Sequence, residues 1–339
     1  MIKFLIFLVV LLTGLVIARI VRITELVSQL SGENEAEVTR KDNSFNGRMM
    51  MFFLIATIAF FAYTTIKYSV YVLPVSASEH GVGIDKMLNI NFAIIIFVFF
   101  VTQILLFYYA FRYSHKEENR ATFYPDNHKI EIWWTVIPAV VLIALVVYGL
   151  SQWNKITGAA PKDAMVIELY AKQFDWTARY TGNDHKLGKS NFRMIEGSNV
   201  LGMDVNDKNG DDDIITKDLH LPVNTPILLV MHSRDVIHSA YLPHFRVQMN
   251  CVPGMTTQFH FTPTITTEQM KGITKDDKFE YVLLCNKICG VAHFTMKMNV
   301  VCETKEQFAE WLKKQKTFSE TISAQAAVTG GASAMIVSK

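Results

Sequence analysis

The sequence has 339 residues, 50% of them hydrophobic, and a formal net charge of +2. A mean hydropathy of +0.20 is high for a water-soluble protein, and the nearly balanced charge offers no basic surface for nucleic acid. Apolar residues concentrate before about residue 154, whereas the remainder has the composition of a soluble domain. These features exclude a purely soluble chain and a nucleic-acid-binding protein. They predict a membrane anchor followed by one globular domain of ordinary size.

Four apolar runs lie before the soluble part, at about 4–18, 49–66, 87–111 and 132–153. A membrane-spanning helix needs about 20 mostly apolar residues. The third and fourth runs meet that length, and the second does so if Lys67 extends toward a lipid headgroup. The first is short and flanked by basic residues, as a signal peptide is, but no small-x-small cleavage motif follows it. The sequence therefore predicts four spanning helices.

Basic residues are distributed unevenly among the connections between these runs. The segments 19–48 and 112–129 hold most of the Lys and Arg, whereas 67–86 holds two lysines balanced by two acidic residues. Connections rich in Lys and Arg remain on the cytoplasmic side of a membrane. This rule predicts a cytoplasmic position for the first two segments and an external position for the C-terminal domain.

From Met165 onward, apolar and polar residues alternate in short stretches, as they do in strands with one buried face. Clusters of Gly, Pro, Asp and Asn separate the stretches, which favours a β-sandwich or barrel. One closing helix is predicted after Thr304, whose side chain can form a capping box with Gln307. The small, polar residues at 317–339 predict a mobile tail. The predicted strands are 165–170, 217–221, 226–232, 257–261, 279–284 and 294–301.

Four potential metal ligands lie close together in the sequence, namely Cys285, Cys289, His293 and Met296. Thiolate, imidazole and thioether are soft ligands that suit copper better than magnesium or calcium. Cys289, His293 and Met296 alone have the spacing of a mononuclear copper loop. Cys285 adds a second thiolate, and two thiolates at this distance can bridge two metal ions. His238, a few residues after a predicted strand, can supply a further nitrogen ligand.

Other interpretations of these cysteines stay open from the residues alone. Cys285 and Cys289 could form a local disulfide outside the cytoplasm, or a structural zinc ion could use both cysteines and a histidine. Neither interpretation gives Met296 a role. The remaining two cysteines, Cys251 and Cys302, either form a disulfide or stay separate as buried thiols, and the sequence favours neither.

Glu131 stands at the cytoplasmic start of the fourth apolar run, shortly before Trp133 and Trp134. One interpretation is an interfacial charge beside an aromatic belt. The other is a carboxylate at the mouth of a proton path, since ionisable groups at the membrane edges of pumps often have that role. Residue types alone favour the interfacial charge.

Residues 85 to 315 resemble subunit 2 of haem–copper cytochrome c oxidase, of a bacterial type with two additional N-terminal helices. The resemblance implies an α-helical transmembrane anchor followed by an all-β, cupredoxin-like Greek-key sandwich. The implied domains are an additional helix pair with its cytoplasmic connection at 1–70, the family's transmembrane hairpin at 85–155 and a copper domain at 160–316. The motifs that carry the resemblance are Glu131-Ile132-Trp133-Trp134-Thr135-Val136-Ile137-Pro138, Asp235-Val236-Ile237-His238-Ser239, Val252-Pro253-Gly254 and the loop from Cys285 to Met296.

The same resemblance implies a dinuclear, mixed-valence copper centre in which two cysteines bridge two copper ions. The haems and a third copper of the enzyme are expected in subunit 1. No side chain of this chain is expected to perform acid–base catalysis. The implied copper ligands are His238, Cys285, the backbone carbonyl of Lys287, Cys289, His293 and Met296.

The resemblance further implies that the chain accepts electrons from cytochrome c, or from a cytochrome c domain, and passes them to the haem of subunit 1. Subunit 1 reduces oxygen to water and pumps protons, and subunit 3 is a further expected partner. The implied location is the bacterial inner membrane, with the copper domain on the periplasmic side. Glu131 matches the entrance of a proton path in the family. The resemblance therefore favours the proton-path interpretation of Glu131 over the interfacial charge.

Three features depart from the family pattern. Lys287 replaces a glutamate that helps to bind magnesium beside subunit 1, and we expect its charge to replace that ion and pair with subunit 1 carboxylates. Phe174 replaces the first tryptophan of a Gln-Trp-x-Trp segment, so Phe174 and Trp176 are both candidate electron-entry residues. The family typically has two spanning helices. We expect the additional pair to pack on neighbouring subunits or on another respiratory complex.

Two alternative functions would use the same copper loop. The chain could be a membrane-tethered copper carrier or sensor, or the copper electron-transfer domain of a nitrous oxide reductase-like system. The four predicted spans and Glu131 argue against the reductase. A carrier tends to hold one labile copper ion, whereas this loop offers donors for a rigid two-copper site.

Overall fold

The structure is a computed structural model that describes residues 2–30, 40–114, 120, 122–197 and 199–323. The chain divides into two compact units. One comprises residues 1–69 and 95–127, and the other comprises residues 70–94 and 128–339. All predicted metal ligands belong to the second unit.

Four long helices come first in the chain: α1 (Ile2–Leu30), α2 (Arg40–Tyr68), α3 (Glu79–Arg112) and α4 (His128–Thr157). Among the described residues, three segments are long and apolar enough to cross a membrane, at 40–71, 79–112 and 128–157. At most 6% of their most apolar windows is buried within the chain, so these side chains need lipid or partner subunits around them. Three predicted spans are thereby confirmed by length and composition. The first predicted span lies in α1 and stays a prediction.

Aromatic contacts join α2 to the later part of α3 within the first unit. The ring centroids of Phe61 and Phe99 lie 5.3 Å apart, and those of Phe53 and Phe107 lie 5.5 Å apart. Tilted ring pairs at such distances are favourable. The Cβ of a side chain at Gly47 would lie 3.5 Å from the Phe111 ring, an ordinary van der Waals distance, so the two helices are also in close contact there. Helix α2 therefore has a specific packing partner in the membrane segment.

After α4, the described part of the second unit contains ten strands, two short helices and a final helical segment at 318–323. The strands are β1 (Met165–Lys172), β2 (Asp175–Tyr180), β3 (Ile214–Thr216), β4 (Leu219–Pro222), β5 (Ile227–Ser233), β6 (His238–Leu242), β7 (Val247–Cys251), β8 (Thr257–Phe261), β9 (Tyr281–Cys285) and β10 (Lys297–Glu303), and the helices are α5 (Thr267–Thr274) and α6 (Lys305–Lys313). One five-stranded sheet has the order β3-β2-β1-β5-β8, and the other has the order β4-β10-β9-β6-β7. Strand β1 pairs with β5, and β4 with β10, in parallel.

Alternating side chains explain how the strands form the core. In β5, Ile227, Leu229 and Met231 are fully buried, while the residues between them are partly exposed. This is the period-two pattern of a strand with one face in the core. Residues of this kind from both sheets form one continuous hydrophobic cluster. The prediction of a β-sandwich of cupredoxin-like architecture is confirmed.

Several short elements do not follow from the sequence pattern. Strand β2 buries its polar residues Thr177 and Arg179 as well as its apolar ones, so burial does not alternate along it. Strands β3, β6 and β7 have only three to five residues each. Helix α5 buries a single residue, Met270, although it begins with a complete capping box. The closing helix is α6, which begins after its predicted cap, Thr304.

Arg246 fixes the start of α3 to the sandwich. Its guanidinium Nε and Nη2 donate to the two carboxylate oxygens of Asp85 at 2.7 and 3.0 Å. The same group donates to the carbonyl oxygens of Pro243 and Pro74 at 2.6 and 2.5 Å. A two-point arginine–carboxylate pair is geometrically specific as well as strong. The first turns of α3 are thus held against the domain that contains the predicted ligands.

The chain remains packed beyond α6, up to residue 323. Thr317 forms a β-bridge with Ile214, and Phe318 is buried in a small core with Leu201 and Met203. The expected mobile tail therefore does not begin at 317, because Phe318 is an apolar anchor. The rest of that predicted tail, 324–339, lies outside the described residues.

Candidate metal centre

A short loop between β9 and β10 presents most of the predicted donors. Cys285 ends β9, and the next strand begins at Lys297. The Cys285 amide donates to the Met296 carbonyl at 3.1 Å, which closes the loop at its base. The Asn286 amide donates to the Ser239 carbonyl of β6 at 3.0 Å. The loop is therefore held by two neighbouring strands of one sheet.

The two cysteines of this loop form a close, buried pair. Their Sγ atoms lie 3.8 Å apart, and both residues are free thiols. The local disulfide considered from the sequence is thus not formed. Burial and the neighbouring Cys285 thiol raise the pKa of Cys289 to about 11. A thiol with such a pKa is protonated at neutral pH, so forming the thiolate pair calls for a nearby cation.

Each sulfur has its own imidazole neighbour. His238 Nδ1 lies 3.7 Å from Cys285 Sγ, and His293 Nδ1 lies 3.5 Å from Cys289 Sγ. His238 is fully buried as the first residue of β6. The ligand atoms of His238, Cys285 and Cys289 all lie within 4.8 Å of one another, which is close enough to hold a metal ion.

Two weaker donors complete the cluster. The Met296 Sδ atom lies 3.8 Å from Cys289 Sγ, and Met296 is 2% exposed. The carbonyl oxygen of Lys287 lies 3.2 Å from Cys285 Sγ. The structure therefore brings all six predicted donor groups to one place. With two thiols, two imidazoles and a thioether, this donor set fits copper.

Asp235 orients one of the imidazoles. Its carboxylate accepts hydrogen bonds from His238 Nε2 at 2.8 Å and from the amides of Gln173 and Val236, each at 2.7 Å. Partial burial opposes ionisation, but the bonds from Gln173, His238 and Val236 lower the pKa of Asp235. Because His238 Nε2 donates to this carboxylate, its Nδ1 carries the lone pair that faces Cys285.

Gln173 links this carboxylate to the ligand loop. Its side-chain Nε2 donates to the Cys289 carbonyl at 2.5 Å, while its amide binds Asp235. Neither Asp235 nor Gln173 is predicted from the sequence to act at the metal centre. Asp235 lies three residues before His238, and this spacing could have indicated a carboxylate that orients the histidine. Gln173 lies in the distant turn between β1 and β2, and no signal in the sequence links it to the loop.

The two candidate electron-entry residues occupy different depths. Phe174 is half-buried and touches the ligand loop, since a Cβ at Gly290 would lie only 2.9 Å from Phe174 Cζ. Gly290 has a φ of +136°, which glycine adopts without strain. Trp176 is fully buried, and its ring centroid lies 6.2 Å from that of His238. Phe174 therefore lies between solvent and the loop, and Trp176 lies behind a predicted ligand.

Glu131 is not part of this cluster. It lies in the first turn of α4, where its carboxylate is 3.1 Å from His128 Nδ1. The other end of α4, at Thr157, leads into the sandwich. At 1.5 Å per residue, the two ends are separated by about 39 Å along the helix. The structure thus separates Glu131 from the predicted metal ligands.

Cys251 and Cys302 are separate, buried thiols. They lie in β7 and β10, which are three strands apart in one sheet. Three interstrand steps amount to about 14 Å, twice the largest Cα separation that a disulfide can bridge. Burial raises the pKa of each thiol to about 12. The disulfide alternative is therefore excluded in this fold.

Comparison with known proteins gives two adjoining family matches. A family model described as the cytochrome c oxidase subunit II transmembrane domain matches residues 65–151, and one described as its periplasmic domain matches residues 165–304. An alternative cytochrome c oxidase subunit 2 of Bradyrhizobium diazoefficiens is 36% identical over 238 residues, which cover 70% of this chain and 81% of the relative. A cytochrome c oxidase subunit 2 of Thermostichus vulcanus is 27% identical over 273 residues, or 73% of this chain and 79% of the relative.

Among solved structures, the periplasmic domain of cytochrome oxidase subunit II of Bradyrhizobium japonicum matches with 22% identity and a TM-score of 0.30, covering 46% of this chain and 95% of that one. The family matches and the 36% identity carry the assignment. The chain belongs to the cytochrome c oxidase subunit II family.

Proposed function

We propose that this chain is the electron-accepting subunit 2 of a proton-translocating cytochrome c oxidase and that it holds a dinuclear copper centre. Family membership implies a membrane-anchored subunit with a periplasmic, copper-binding domain and a subunit 1 partner. The observation that carries the finer proposal is the pairing of two thiols that each have their own imidazole.

The proposed ligands follow these pairings. Cys285 and Cys289 would bridge two ions, with His238 on one and His293 on the other. Met296 and the carbonyl of Lys287 would be weaker ligands, since the first lies beside Cys289 and the second beside Cys285. A single structural zinc ion would leave part of this donor set unused, because zinc sites have four ligands.

Bound copper would supply a one-electron redox couple shared between two ions. The residues of the chain hold the donors in place and exclude water. Asp235 fixes the tautomer of His238, and Gln173 fixes the Cys289 carbonyl. Met296 and both cysteines are buried, and the loop is bonded at its base to a sheet. Ligands held in this way would move little when the copper centre gains or loses an electron, and small movements suit rapid electron transfer.

We propose that electrons enter through the half-buried ring of Phe174, which contacts the ligand loop at Gly290. Trp176 lies behind His238 and would be the deeper of the two aromatic residues on this side. The expected donor is a cytochrome c or a cytochrome c domain, and the expected acceptor is the haem of subunit 1.

Glu131 is proposed as the entrance of a proton path into subunit 1. Its carboxylate is partly exposed in the first turn of a candidate spanning helix, beside His128. A carboxylate at the edge of a membrane segment has access to water on one side and to a protein interior on the other. This position suits proton uptake at the side of the membrane opposite to the copper domain.

Lys287 has an exposed side chain whose ammonium cannot coordinate a cation. We propose that it pairs with subunit 1 carboxylates in place of magnesium. Stoichiometric magnesium or manganese at that boundary of the purified oxidase would contradict this.

The proposed function is tested with Cys285→Ser in the purified oxidase complex. Oxygen consumption driven by a cytochrome donor should fall to background, because one bridging thiolate is lost. Cys302→Ser is the matched control, since it changes a buried thiol that is not among the proposed ligands, and it should keep activity. Wild-type oxygen consumption by Cys285→Ser would refute the proposal.

A further inference from the structure

We propose that a cavity between the sandwich and two of the long helices binds the headgroup of a phospholipid that carries a primary ammonium as well as a phosphate. The inference goes beyond the proposed electron transfer and does not depend on copper. We call this space the headgroup cavity. Its volume is about 400 Å³, within the range of small-ligand pockets, and its polar lining residues are Glu79, His80, Gln152, Lys155, His260 and Thr262.

The headgroup cavity lies at one end of two candidate spanning helices, α3 and α4. The start of α3 rests on the sandwich, since the Glu79 amide donates to the Thr262 carbonyl at 3.0 Å. The end of α4 rests there too, because Ile156 belongs to the sandwich core. Trp153 is half exposed close to that end, and tryptophan is enriched where a spanning helix meets the membrane surface. Lipid headgroups are therefore expected at the level of this cavity.

The cavity opens next to a close contact between the two helices. A Cβ at Gly83 of α3 would lie only 2.8 Å from Gln152 Oε1 of α4. Glu79 precedes Gly83 by four residues, and Lys155 follows Gln152 by three, so each charged residue shares a helix face with the contact. Both are one turn nearer to the sandwich. Glu79 and Lys155 therefore stand on facing walls of the cavity.

Glu79 and Lys155 are exposed and have opposite charges, but they do not pair with each other. Among the described residues neither forms an ion pair, so their charged atoms lie more than 4.0 Å apart. Of the other charged residues near by in the sequence, Asp85 is bound by an arginine, and Lys162 and Asp163 have opposite charges. A zwitterion would meet both unpaired charges at once. A free phosphate or an anionic lipid would bring a second negative charge to Glu79.

His80 favours a ligand that has N–H donors. Its Nε2 atom lies 3.4 Å from the carbonyl oxygen of Arg246, which can only accept a hydrogen bond, so this nitrogen carries the proton. In the neutral ring Nδ1 is then an acceptor, and it is buried without a partner among the described residues. A primary ammonium would donate to this nitrogen and to the adjacent Glu79 carboxylate. The trimethylammonium of a choline lipid has no N–H group to donate.

The other side of the cavity offers donors for a phosphate. Lys155 has an ammonium, and Gln152 has an amide NH₂ group. Burial lowers the pKa of His260, so its ring is neutral at pH 7, and its Nε2 is buried without a partner among the described residues. A ligand that satisfies such a nitrogen removes an energetic cost. The acyl chains would then follow α3 and α4, whose most apolar windows are not buried within the chain.

The test measures lipid binding to the purified full-length chain in detergent by native mass spectrometry. The probes are the dioleoyl forms of phosphatidylethanolamine, phosphatidylcholine and phosphatidylglycerol, each at the same concentration. The ethanolamine lipid should bind about 5-fold more tightly than the other two, which corresponds to one exposed ion pair. Equal affinity for all three would overturn the inference. Soluble phosphoethanolamine should bind more weakly than the lipid, and equal binding would overturn the assignment to a lipid.

Two variants separate the two ends of the headgroup. Glu79→Gln should abolish the preference for the ethanolamine lipid, because the ammonium loses its carboxylate. Lys155→Gln should weaken the binding of all three lipids by about 5-fold, because all three contain the phosphate. An unchanged thermal unfolding midpoint shows that each variant is folded.

Lys86→Gln is the matched control. Lys86 is an exposed lysine two turns after Glu79 in α3, and it does not line the cavity. Its replacement should leave all three affinities unchanged. Wild-type lipid binding in both Glu79→Gln and Lys155→Gln, or an equal loss in Lys86→Gln, would overturn the inference and would leave the proposed electron-accepting function untouched.

Discussion

Replacing Asp235 with asparagine tests how the chain orients its buried imidazole. One carboxylate oxygen accepts from His238 and Val236, and the other accepts from Gln173. An asparagine side chain offers only one acceptor oxygen, so its NH₂ group would face one of these three donors. The His238 ring would lose a charged acceptor and part of its orientation.

The expected effect is a loss of copper affinity. Replacing a residue that orients a metal-binding histidine typically lowers metal affinity by 10-fold to 100-fold. Each factor of ten corresponds to about 1.4 kcal/mol. Since two of the three hydrogen bonds can survive, we expect a loss of about 10-fold, or about 1.4 kcal/mol. The assay is competition for copper between the purified protein and a chelator, with the copper spectrum recorded in parallel.

Asp175→Asn is the matched control for this change. It removes a carboxylate from the same end of the sandwich, but Asp175 binds Lys217 and none of the proposed ligands. Its copper affinity should remain that of the wild type. An unchanged affinity in Asp235→Asn, or an equal loss in Asp175→Asn, would refute the orienting role.

Three further predictions concern the sandwich itself and are measured by unfolding of the solubilised protein. Gly290→Ala should destabilise it by about 1–3 kcal/mol, because the residue would be strained at φ +136° and its Cβ would press on Phe174; an unchanged midpoint would contradict the contact. Arg179→Met should cost about 3–5 kcal/mol, because it leaves the carboxylate of Asp213 buried without its guanidinium partner; a loss below about 1 kcal/mol would contradict this. Burial lowers the pKa of His260 from its ordinary 6.5, so below pH 6.5 the unfolded chain binds more protons and stability falls. His260→Gln should flatten this fall between pH 6.5 and the lowered pKa, and an unaltered slope would count against the assignment.

The sequence predicts the long strands of the sandwich well because their alternation is regular. The predicted strand at 226–232 matches β5, whose buried residues recur at every second position. The predicted strand at 294–301 begins three residues before β10, because His293–Thr295 form a short helical turn. Strand β2 is missed although Trp176, Ala178 and Tyr180 alternate with polar residues, and its other face is also buried because Arg179 pairs there with Asp213.

The candidate metal centre is only partly predictable from the sequence. The donors in the loop from Cys285 to Met296 are close in the sequence, so their proximity in space can be predicted from the sequence. The position of His238 depends on the pairing of β6 with β9, in which Ala240 lies opposite Cys285. The contribution of Gln173 depends on a turn of the other sheet, and no local pattern links that turn to the loop. The contact of Gln173 with the loop could therefore not be predicted from the sequence, whereas the residue type and motif of His238 allowed its prediction.

Metal content combined with electron paramagnetic resonance of the purified full-length chain tests the central claim most directly. The proposed ligand set predicts two copper ions per chain that share one unpaired electron in the oxidised state. Cys285→Ser should convert that signal toward a mononuclear one, because a single bridging thiolate cannot maintain the pair. One copper ion per chain, or zinc in its place, would contradict the account.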